Sequence, residues 1–127
     1  MRTILCVDDS TYAADSLKDF LEHHGYNVVA CDGHSAVDLV NDRKVEAVLL
    51  DCHISHAEEI AVSLRRARRN IPIVMLSAYC GVPCDRMQQA DCCLQKGYSP
   101  AALLETIEAL LRSRRYGLCR TVPYRAA

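Results

Sequence analysis

The chain has 127 residues, half of them hydrophobic and 24% charged, with a formal net charge of -1, which is typical of one globular domain with a single core. A charge so close to zero excludes a global field toward nucleic acid or an anionic membrane, and the apolar runs are too short to cross a bilayer. The opening MRTILCVDDS has no secretory pattern, so we expect a cytoplasmic protein. The small net charge and the short apolar runs predict no nucleic-acid or membrane partner.

Apolar runs of strand length alternate along the chain with segments of helical spacing. The predicted strands are Thr3–Val7, Val28–Cys31, Glu46–Asp51, Ile73–Ala78 and Asp91–Lys96. The predicted helices run from Tyr12 to about His24, Ser35 to Asn41, Ala57 to about Arg69 and Pro100 to about Arg114, with a weak fifth helix at Asp85–Gln89. Because the strands are apolar on both faces and the connections are short, the order predicts an α/β fold, a doubly wound parallel sheet of five strands.

This pattern ends near residue 115. We therefore predict one domain over residues 1–115, followed by a mobile or loosely docked tail over residues 116–127, where periodicity is weak.

The eight cysteines require an explanation. Cys6, Cys31 and Cys93 lie inside apolar runs, where a free thiol behaves as a small hydrophobic group. A disulfide framework is typical of small, irregular secreted chains. A zinc site needs two close-spaced ligand pairs, for which CGVPC (80–84) and the adjacent pair Cys92-Cys93 are poor matches. We therefore expect reduced and mostly structural thiols.

Polar residues with reactive groups follow four of the predicted strands. They are Asp8 and Asp9 after the first strand, Asp51 after the third, Ser77 after the fourth and Lys96 after the fifth. In a doubly wound sheet the functional crevice lies beyond the carboxyl ends of the strands, near the point where the strand order reverses. We therefore expect these five side chains to converge on one rim of the sheet.

The composition of this rim predicts a particular chemistry. Three neighbouring carboxylates raise one another's pKa, and a Mg²⁺ ion, which favours carboxylates, backbone carbonyls and water, removes the conflict. With the ion and a lysine neutralising charge, one carboxylate is able to accept a phosphoryl group while the serine hydroxyl donates to it. Taken singly, each residue is better explained as a cap, a turn former or a solvated side chain. Their conjunction favours phosphoryl transfer to an aspartate.

The segments ILCVDDS, AVLLDCHI, PIVMLSA and ADCCLQK resemble, in order and spacing, the flavodoxin-like receiver domain of two-component response regulators, over about residues 3–114. The resemblance implies a phosphoacceptor at Asp51, Mg²⁺ ligands at Asp8, Asp9, Asp51 and the backbone carbonyl of His53, and phosphate-binding or switch residues at Ser77 and Lys96. It also implies a histidine kinase or phosphotransfer protein as donor, and an unidentified downstream protein partner. Because no output domain follows, we expect a stand-alone receiver that is a phosphoacceptor rather than an enzyme.

The sequence departs from the family at the loop after the acceptor and near the lysine. Where the family has Met-Pro and then a glycine, this chain has Ile54, Ser55 and Glu59. Gly97 replaces the proline after the lysine, and Cys93 replaces the aromatic residue that rotates on activation. We therefore expect a complete phosphoryl site. The usual coupling between the switch hydroxyl and the rotating aromatic residue should differ in this chain.

Two bulky residues stand at positions that tune the lifetime of the phosphoryl group in this family. They are His53, two residues after the acceptor, and Tyr79, two residues after the switch hydroxyl. We hypothesise that both shield the acyl phosphate from water.

Two alternative functions stay open at this point. One is a receiver-like interaction module that works without phosphorylation, which the departures favour. The other is a thiol or metal sensor built from Cys52, His53 and His56, with Cys80 and Cys84 as further candidates.

The sequence also contains a basic cluster, Arg65, Arg66, Arg68 and Arg69, near the predicted end of the third helix. These arginines are spread around the helix, so we interpret them as a solvated helix end, favoured by the helix dipole, rather than as a DNA-binding stripe. The oligomeric state is left open.

Overall fold

The computed structural model describes residues 2–42, 44–77, 89–95 and 97–115. The strands are β1 (Thr3–Val7), β2 (Asn27–Cys31), β3 (Val45–Asp51), β4 (Ile73–Ser77) and β5 (Cys92–Gln95), and the helices are α1 (Thr11–His23), α2 (Ala36–Asp42), α3 (Ala57–Ala67) and α4 (Pro100–Arg115). All five predicted strands and the four longer predicted helices are present. Of the weak helix at Asp85–Gln89, residues 85–88 lie outside the described part, and Gln89 is in a turn.

Side-chain caps and a glycine mark the helix ends. The Oγ atom of Ser10 accepts a hydrogen bond of 3.3 Å from the amide of Ala13 at the start of α1, and Gly25 has a φ of 89° just after its end. Ser99 caps α4 in the same way, with its Oγ 3.1 Å from the amide of Ala102. The third helix ends earlier than predicted because Arg68 is already extended (φ -137°, ψ 93°).

The five strands form one parallel sheet in the order β2-β1-β3-β4-β5. The chain passes from β1 to β2 on one side and then crosses to β3 on the other side, so the strand order reverses between β1 and β3. The predicted doubly wound parallel sheet is therefore confirmed, and its switch point lies where Asp8 and Asp51 end their strands.

Both faces of the sheet are buried. The α1–α4 cluster covers one face and includes Ile4, Cys6, Leu21, Leu49, Leu94, Leu103 and Ile107. The α2–α3 cluster covers the other face and includes Leu5, Val7, Val48, Leu50, Leu64 and Met75. Each fully buried aliphatic side chain stabilises the fold by about 1.5–3 kcal/mol, which explains why the strands are apolar throughout. Among the helices described, none has both the length and the apolarity that a membrane crossing requires.

Arg65 joins the end of α3 to the amino end of the sheet. Its guanidinium donates to the carbonyl oxygens of Ile71 and Gln89, the latter at 2.6 Å, and to the Asp91 carboxylate at 2.9 Å. The same carboxylate oxygen accepts the Ile73 amide at 2.8 Å. The Arg65 and Asp91 side chains are only 21% and 24% exposed. The interpretation of Arg65 as a solvated helix end is therefore wrong.

Arg68 is a second exception to that interpretation. Its guanidinium donates to the carbonyl oxygen of Val40 at 3.2 Å, which ties the end of α3 to α2. Arg66 and Arg69 are exposed, as the interpretation requires. Half of the basic cluster therefore holds elements together through hydrogen bonds to backbone carbonyl groups.

The described ranges contain five of the cysteines. Of these, Cys6, Cys31, Cys52 and Cys92 form no disulfide, as expected, whereas Cys93 is disulfide-bonded. The expectation of reduced thiols is therefore wrong for Cys93, since burial in an apolar run does not prevent a disulfide. Burial, with smaller effects of Cys31 and Asp8, raises the pKa of Cys6 to about 12. That thiol is therefore an inert core residue.

Candidate functional site

The register of the sheet brings the two acidic strand ends together. Val7 of β1 pairs with Leu50 of β3, so the residues that follow, Asp8 and Asp51, stand side by side at the carboxyl ends of adjacent strands. Asp8 extends β1, since its amide donates to the carbonyl oxygen of Cys31 at 3.0 Å. Two residues more than forty positions apart in the sequence thus meet because their strands are parallel neighbours.

Two further strand ends continue this rim. Asp51 pairs with Leu76 of β4, which places Ser77 one position beyond it, and Ser77 pairs with Gln95 of β5. Ser77 is 2% exposed, so its hydroxyl is held inside the rim. Lys96 directly follows Gln95 but lies outside the described residues. The structure therefore brings together the predicted residues of β1, β3 and β4. The position of Lys96, and the roles of all these residues, stay predictions.

Both carboxylates are buried and locally oriented. Asp8 is 8% exposed and Asp51 is 6% exposed. One oxygen of Asp8 accepts the Ser10 amide at 2.8 Å, and one oxygen of Asp51 accepts the His53 amide at 3.1 Å. Backbone donors two residues ahead therefore fix each carboxylate in an Asx-type turn. Two like charges held side by side form a site suited to a cation.

The oxygen ligands at this rim fit Mg²⁺. Asp9 is exposed beside the two buried carboxylates, and no group of three or more His, Cys, Asp or Glu side chains in the described ranges is placed to hold a metal ion. Mg²⁺ requires no such cage, because it keeps several waters and binds proteins through one or two carboxylates. Asp8, Asp51 and the backbone carbonyl of His53 are donors of that kind.

The loop after the acceptor is anchored by the residue that departs from the family pattern. Ile54 is 6% exposed and belongs to the α2–α3 cluster. It packs near Gly33, where an added Cβ atom would lie 3.6 Å from Ile54 Cδ1 and only 2.6 Å from Ile60 Cδ1. The tight space at Gly33 therefore lets the loops after β2 and β3 pack against each other.

At the end of that loop, Glu59 lies close to His56. His56 has a φ of 61°, a left-handed conformation that is uncommon for a residue other than glycine. Its Nδ1 atom lies 3.8 Å from a carboxylate oxygen of Glu59, and both side chains are more than 70% exposed (79% and 73%). Glu59 therefore faces solvent and His56.

The sensor alternative receives no support from the described residues. His53 and His56 are exposed, Cys52 is a free thiol, and together they form no metal-holding group in the part of the chain that is described. Cys80, Cys84 and Tyr79 lie outside the described residues.

Sequence reasoning missed two tyrosines near the rim. Tyr12, in the first turn of α1, is 85% exposed and is the one large hydrophobic side chain so exposed in the described ranges. Tyr98 is half-buried against the α1–α4 cluster. Burial, then Cys6 and Asp8, raises the pKa of Tyr98 to about 12. The position of Tyr98 two residues after Lys96 was the available signal.

Comparison with known proteins agrees with the resemblance to response regulator receiver domains. A profile described as the response regulator receiver domain matches residues 4–108. The transcriptional regulatory protein CpxR of Escherichia coli (strain K12) is 36% identical over 118 residues, which cover 88% of this chain and 50% of CpxR. The response regulator MprA of Mycobacterium sp. (strain KMS) is 34% identical over 116 residues, 86% of this chain and 50% of MprA. The chain spans about half the length of these curated relatives.

Solved structures share the fold. The CheY-like response regulator receiver domain protein from Methanospirillum hungatei JF-1 superposes with a TM-score of 0.84 at 24% identity, covering 92% of this chain and 98% of that one. The receiver domain of the sensor histidine kinase PA1611 from Pseudomonas aeruginosa PAO1, crystallised with a magnesium ion in its active-site cleft, has a TM-score of 0.80 at 23% identity, with coverage of 88% and 98%.

Proposed function

The chain belongs to the response regulator receiver family, and from that premise we propose that it accepts a phosphoryl group on Asp51 in a Mg²⁺-dependent phosphorelay. The donor is a histidine kinase or a phosphotransfer protein, and the phosphorylated form changes a surface that a downstream protein reads. The observation that carries the proposal is the pair of buried carboxylates, Asp8 and Asp51, side by side at the switch point of the sheet, with Ser77 on the next strand.

The proposed reaction uses each residue of the rim. A carboxylate oxygen of Asp51 attacks the phosphorus atom of a phosphohistidine, the P–N bond breaks, and the imidazole leaves as an acyl phosphate forms. Mg²⁺ would be held by Asp8, Asp51 and the backbone carbonyl of His53, with the exposed Asp9 as a predicted further carboxylate, and would supply charge neutralisation. The Ser77 hydroxyl donates to a phosphoryl oxygen, and Lys96 pairs with the phosphoryl group.

A partner that reaches this rim meets an exposed aromatic residue. Tyr12 lies in the first turn of α1, directly after the loop that carries Asp8 and Asp9. Exposed tyrosines combine a large apolar area with a polar tip, which suits protein contacts. This supports a protein as the phosphoryl donor, and the proposal includes no nucleic-acid or membrane contact by this domain.

The test is phosphorylation by acetyl phosphate with Mg²⁺, followed by intact mass. We expect the wild type to gain the mass of one phosphoryl group and Asp51→Asn to gain none. Asp38→Asn, which changes an exposed aspartate of α2, is the matched control and should be phosphorylated like the wild type. A wild type that gains no mass even with its cognate kinase, or an Asp51→Asn variant that still gains it, would contradict the proposal.

A second candidate is an interaction module that works without phosphorylation. Cys93 favours it, because this residue stands where the family has its rotating aromatic side chain, and it is 4% exposed and disulfide-bonded. Amide NMR spectra discriminate the two. Phosphorylation that shifts only signals next to Asp51, with partner binding equal in wild type and Asp51→Asn, would favour the module.

The proposal concerns the receiver domain, which is the part of the relatives that the chain spans. Transfer is self-catalysed, so the protein is a phosphoacceptor rather than an enzyme acting on a separate substrate. The stand-alone arrangement, the cytoplasmic location and the boundary at residue 115 stay predictions, and the predicted tail 116–127 lies outside the described residues.

A further inference from the structure

The loop that follows β3 contains the backbone carbonyl implied as a Mg²⁺ ligand. That carbonyl belongs to the peptide unit that joins His53 to Ile54. Just before it, the Cys52 amide donates to the carbonyl oxygen of Leu76 at 3.0 Å. The His53 amide then donates to a carboxylate oxygen of Asp51 at 3.1 Å. Hydrogen bonds therefore fix the backbone on the amino side of this peptide unit.

A buried side chain fixes the backbone on the carboxyl side of the same peptide unit. Among residues 52–56, only the side chain of Ile54 is buried, at 6% exposure, whereas His53, Ser55 and His56 are exposed. Ile54 belongs to the α2–α3 cluster. Because side chains in a close-packed interior keep a single arrangement, the position of Ile54 is set by the core rather than by the loop.

Ile54 packs into a space that exists because residue 33 has no side chain. A Cβ atom at Gly33 would lie 3.6 Å from Ile54 Cδ1 and 2.6 Å from Ile60 Cδ1, so the two isoleucines fill the space that this atom would take. The loop of Gly33 is itself hydrogen-bonded, since a carboxylate oxygen of Asp32 accepts the His34 amide at 3.0 Å. Ile54 therefore rests on a second ordered loop, the one after β2.

We propose that Ile54 is a positioning residue of the Mg²⁺ site, because its buried side chain sets the orientation of the peptide unit whose His53 carbonyl would bind the ion. The inference rests on the proposed function. A peptide unit is planar, so fixing the backbone on both of its sides leaves the carbonyl little freedom to rotate. Mg²⁺ demands near-ideal octahedral geometry, so a carbonyl that rotates away binds it more weakly.

The test is Mg²⁺ binding by the full chain, measured by titration calorimetry with MgCl₂ alone. Ile54→Ala removes the side chain that fills the space beside Gly33. We expect the Kd for Mg²⁺ to rise about tenfold, the lower end of the effects known for groups that orient metal ligands. Ile54→Met refills the space with a side chain of similar volume, so its Kd should stay within about twofold of the wild type.

Ile71→Ala is the matched control. Ile71 is also a buried loop isoleucine of the α2–α3 cluster, at 1% exposure, but it lies just before β4, at the amino end of the sheet. Both alanine variants should lose stability in urea melts, because each leaves a cavity in the same cluster. Only Ile54→Ala should bind Mg²⁺ more weakly. An equal rise of the Kd in both variants would trace the effect to lost stability and overturn the inference.

A milder variant keeps the inference testable if Ile54→Ala does not fold. Ile54→Val removes only the Cδ1 methyl group that approaches Gly33, and its Kd should rise about threefold. In wild-type protein with ¹³C-labelled backbone carbonyls, Mg²⁺ should also shift the His53 carbonyl signal.

The outcomes separate this inference from the proposed function. An unchanged Kd in a folded Ile54→Ala or Ile54→Val protein, or a His53 carbonyl signal that does not respond to Mg²⁺, would overturn the inference. The proposed function would stand as long as the wild type is phosphorylated on Asp51 with Mg²⁺. A wild type that neither binds Mg²⁺ nor accepts a phosphoryl group would overturn both.

Discussion

The two ends of the sheet differ in how their buried charged side chains are arranged. At the amino end, the Asp91 carboxylate lies 2.9 Å from Arg65 and also accepts the Ile73 amide, so its charge is neutralised inside the protein. At the carboxyl end, Asp8 and Asp51 place two like charges side by side. Opposite charges that meet within the chain compensate for one another's burial, whereas like charges held together suit a ligand of opposite sign.

The largest expected effect is the response of the carboxyl end to Mg²⁺. At a Mg²⁺ concentration one hundred times the Kd, the free energy of unfolding should rise by about 2.7 kcal/mol, because only the folded state binds the ion. Asp8→Asn should remove this increase, because it takes away one carboxylate ligand of the ion. Calorimetric melting with and without Mg²⁺ measures the increase in each protein. If Mg²⁺ raised the free energy of unfolding of Asp8→Asn as much as that of the wild type, the assignment of the carboxyl end as a cation site would be contradicted.

The amino end should show the opposite behaviour. Arg65→Met keeps the aliphatic stem but removes the donors to three carbonyl groups, those of Arg69, Ile71 and Gln89, and to Asp91. It should therefore lower the free energy of unfolding by about 2 kcal/mol, because it leaves partly buried acceptors unsatisfied. Phosphorylation by acetyl phosphate should persist. Arg66→Met, at the exposed neighbouring position, is the control and should stay within about 0.5 kcal/mol of wild type in urea melts. Equal losses in both variants would show that Arg65 is no more structural than its neighbour.

The packing between loops at the carboxyl end should have a smaller energy. In Gly33→Ala the new Cβ atom meets Ile60 Cδ1 at 2.6 Å, so overpacking should cost about 1 kcal/mol of unfolding free energy. In an Ile60→Val background, which lacks that methyl group, Gly33→Ala should become neutral or stabilising. Urea melts of the two single variants and the double variant complete the cycle. Additive losses would mean that Gly33 and Ile60 do not constrain each other.

The smallest expected effect concerns the lifetime of the phosphoryl group. If the exposed His53 shields the acyl phosphate from water, then His53→Ala should speed dephosphorylation about threefold, equivalent to about 0.65 kcal/mol of barrier. His34→Ala, an exposed histidine in the loop after β2, should decay like the wild type. The decay is followed by intact mass after removal of acetyl phosphate. A variant that decays at the wild-type rate or more slowly would refute the shielding hypothesis.

Local patterns predicted the elements well because each signal acts over a few residues. Apolar runs marked the strands, and helical spacing marked α1 and α4 to within one residue at each end. The arginines show what local signals do not predict. The sequence indicates a charged helix end, but the partners of Arg65 are up to 26 positions away, so no local pattern distinguishes it from the exposed Arg66.

By itself, the sequence determined the five-stranded parallel sheet and the set of polar residues that follow its strands, because periodicity and strand ends are local properties. Only the tertiary structure decided which of these residues meet. The register of β1 against β3 placed Asp8 beside Asp51, and the space at Gly33 let the loops after β2 and β3 pack against each other. Such contacts depend on how distant strands align and how loops pack, and these are properties of the folded chain as a whole.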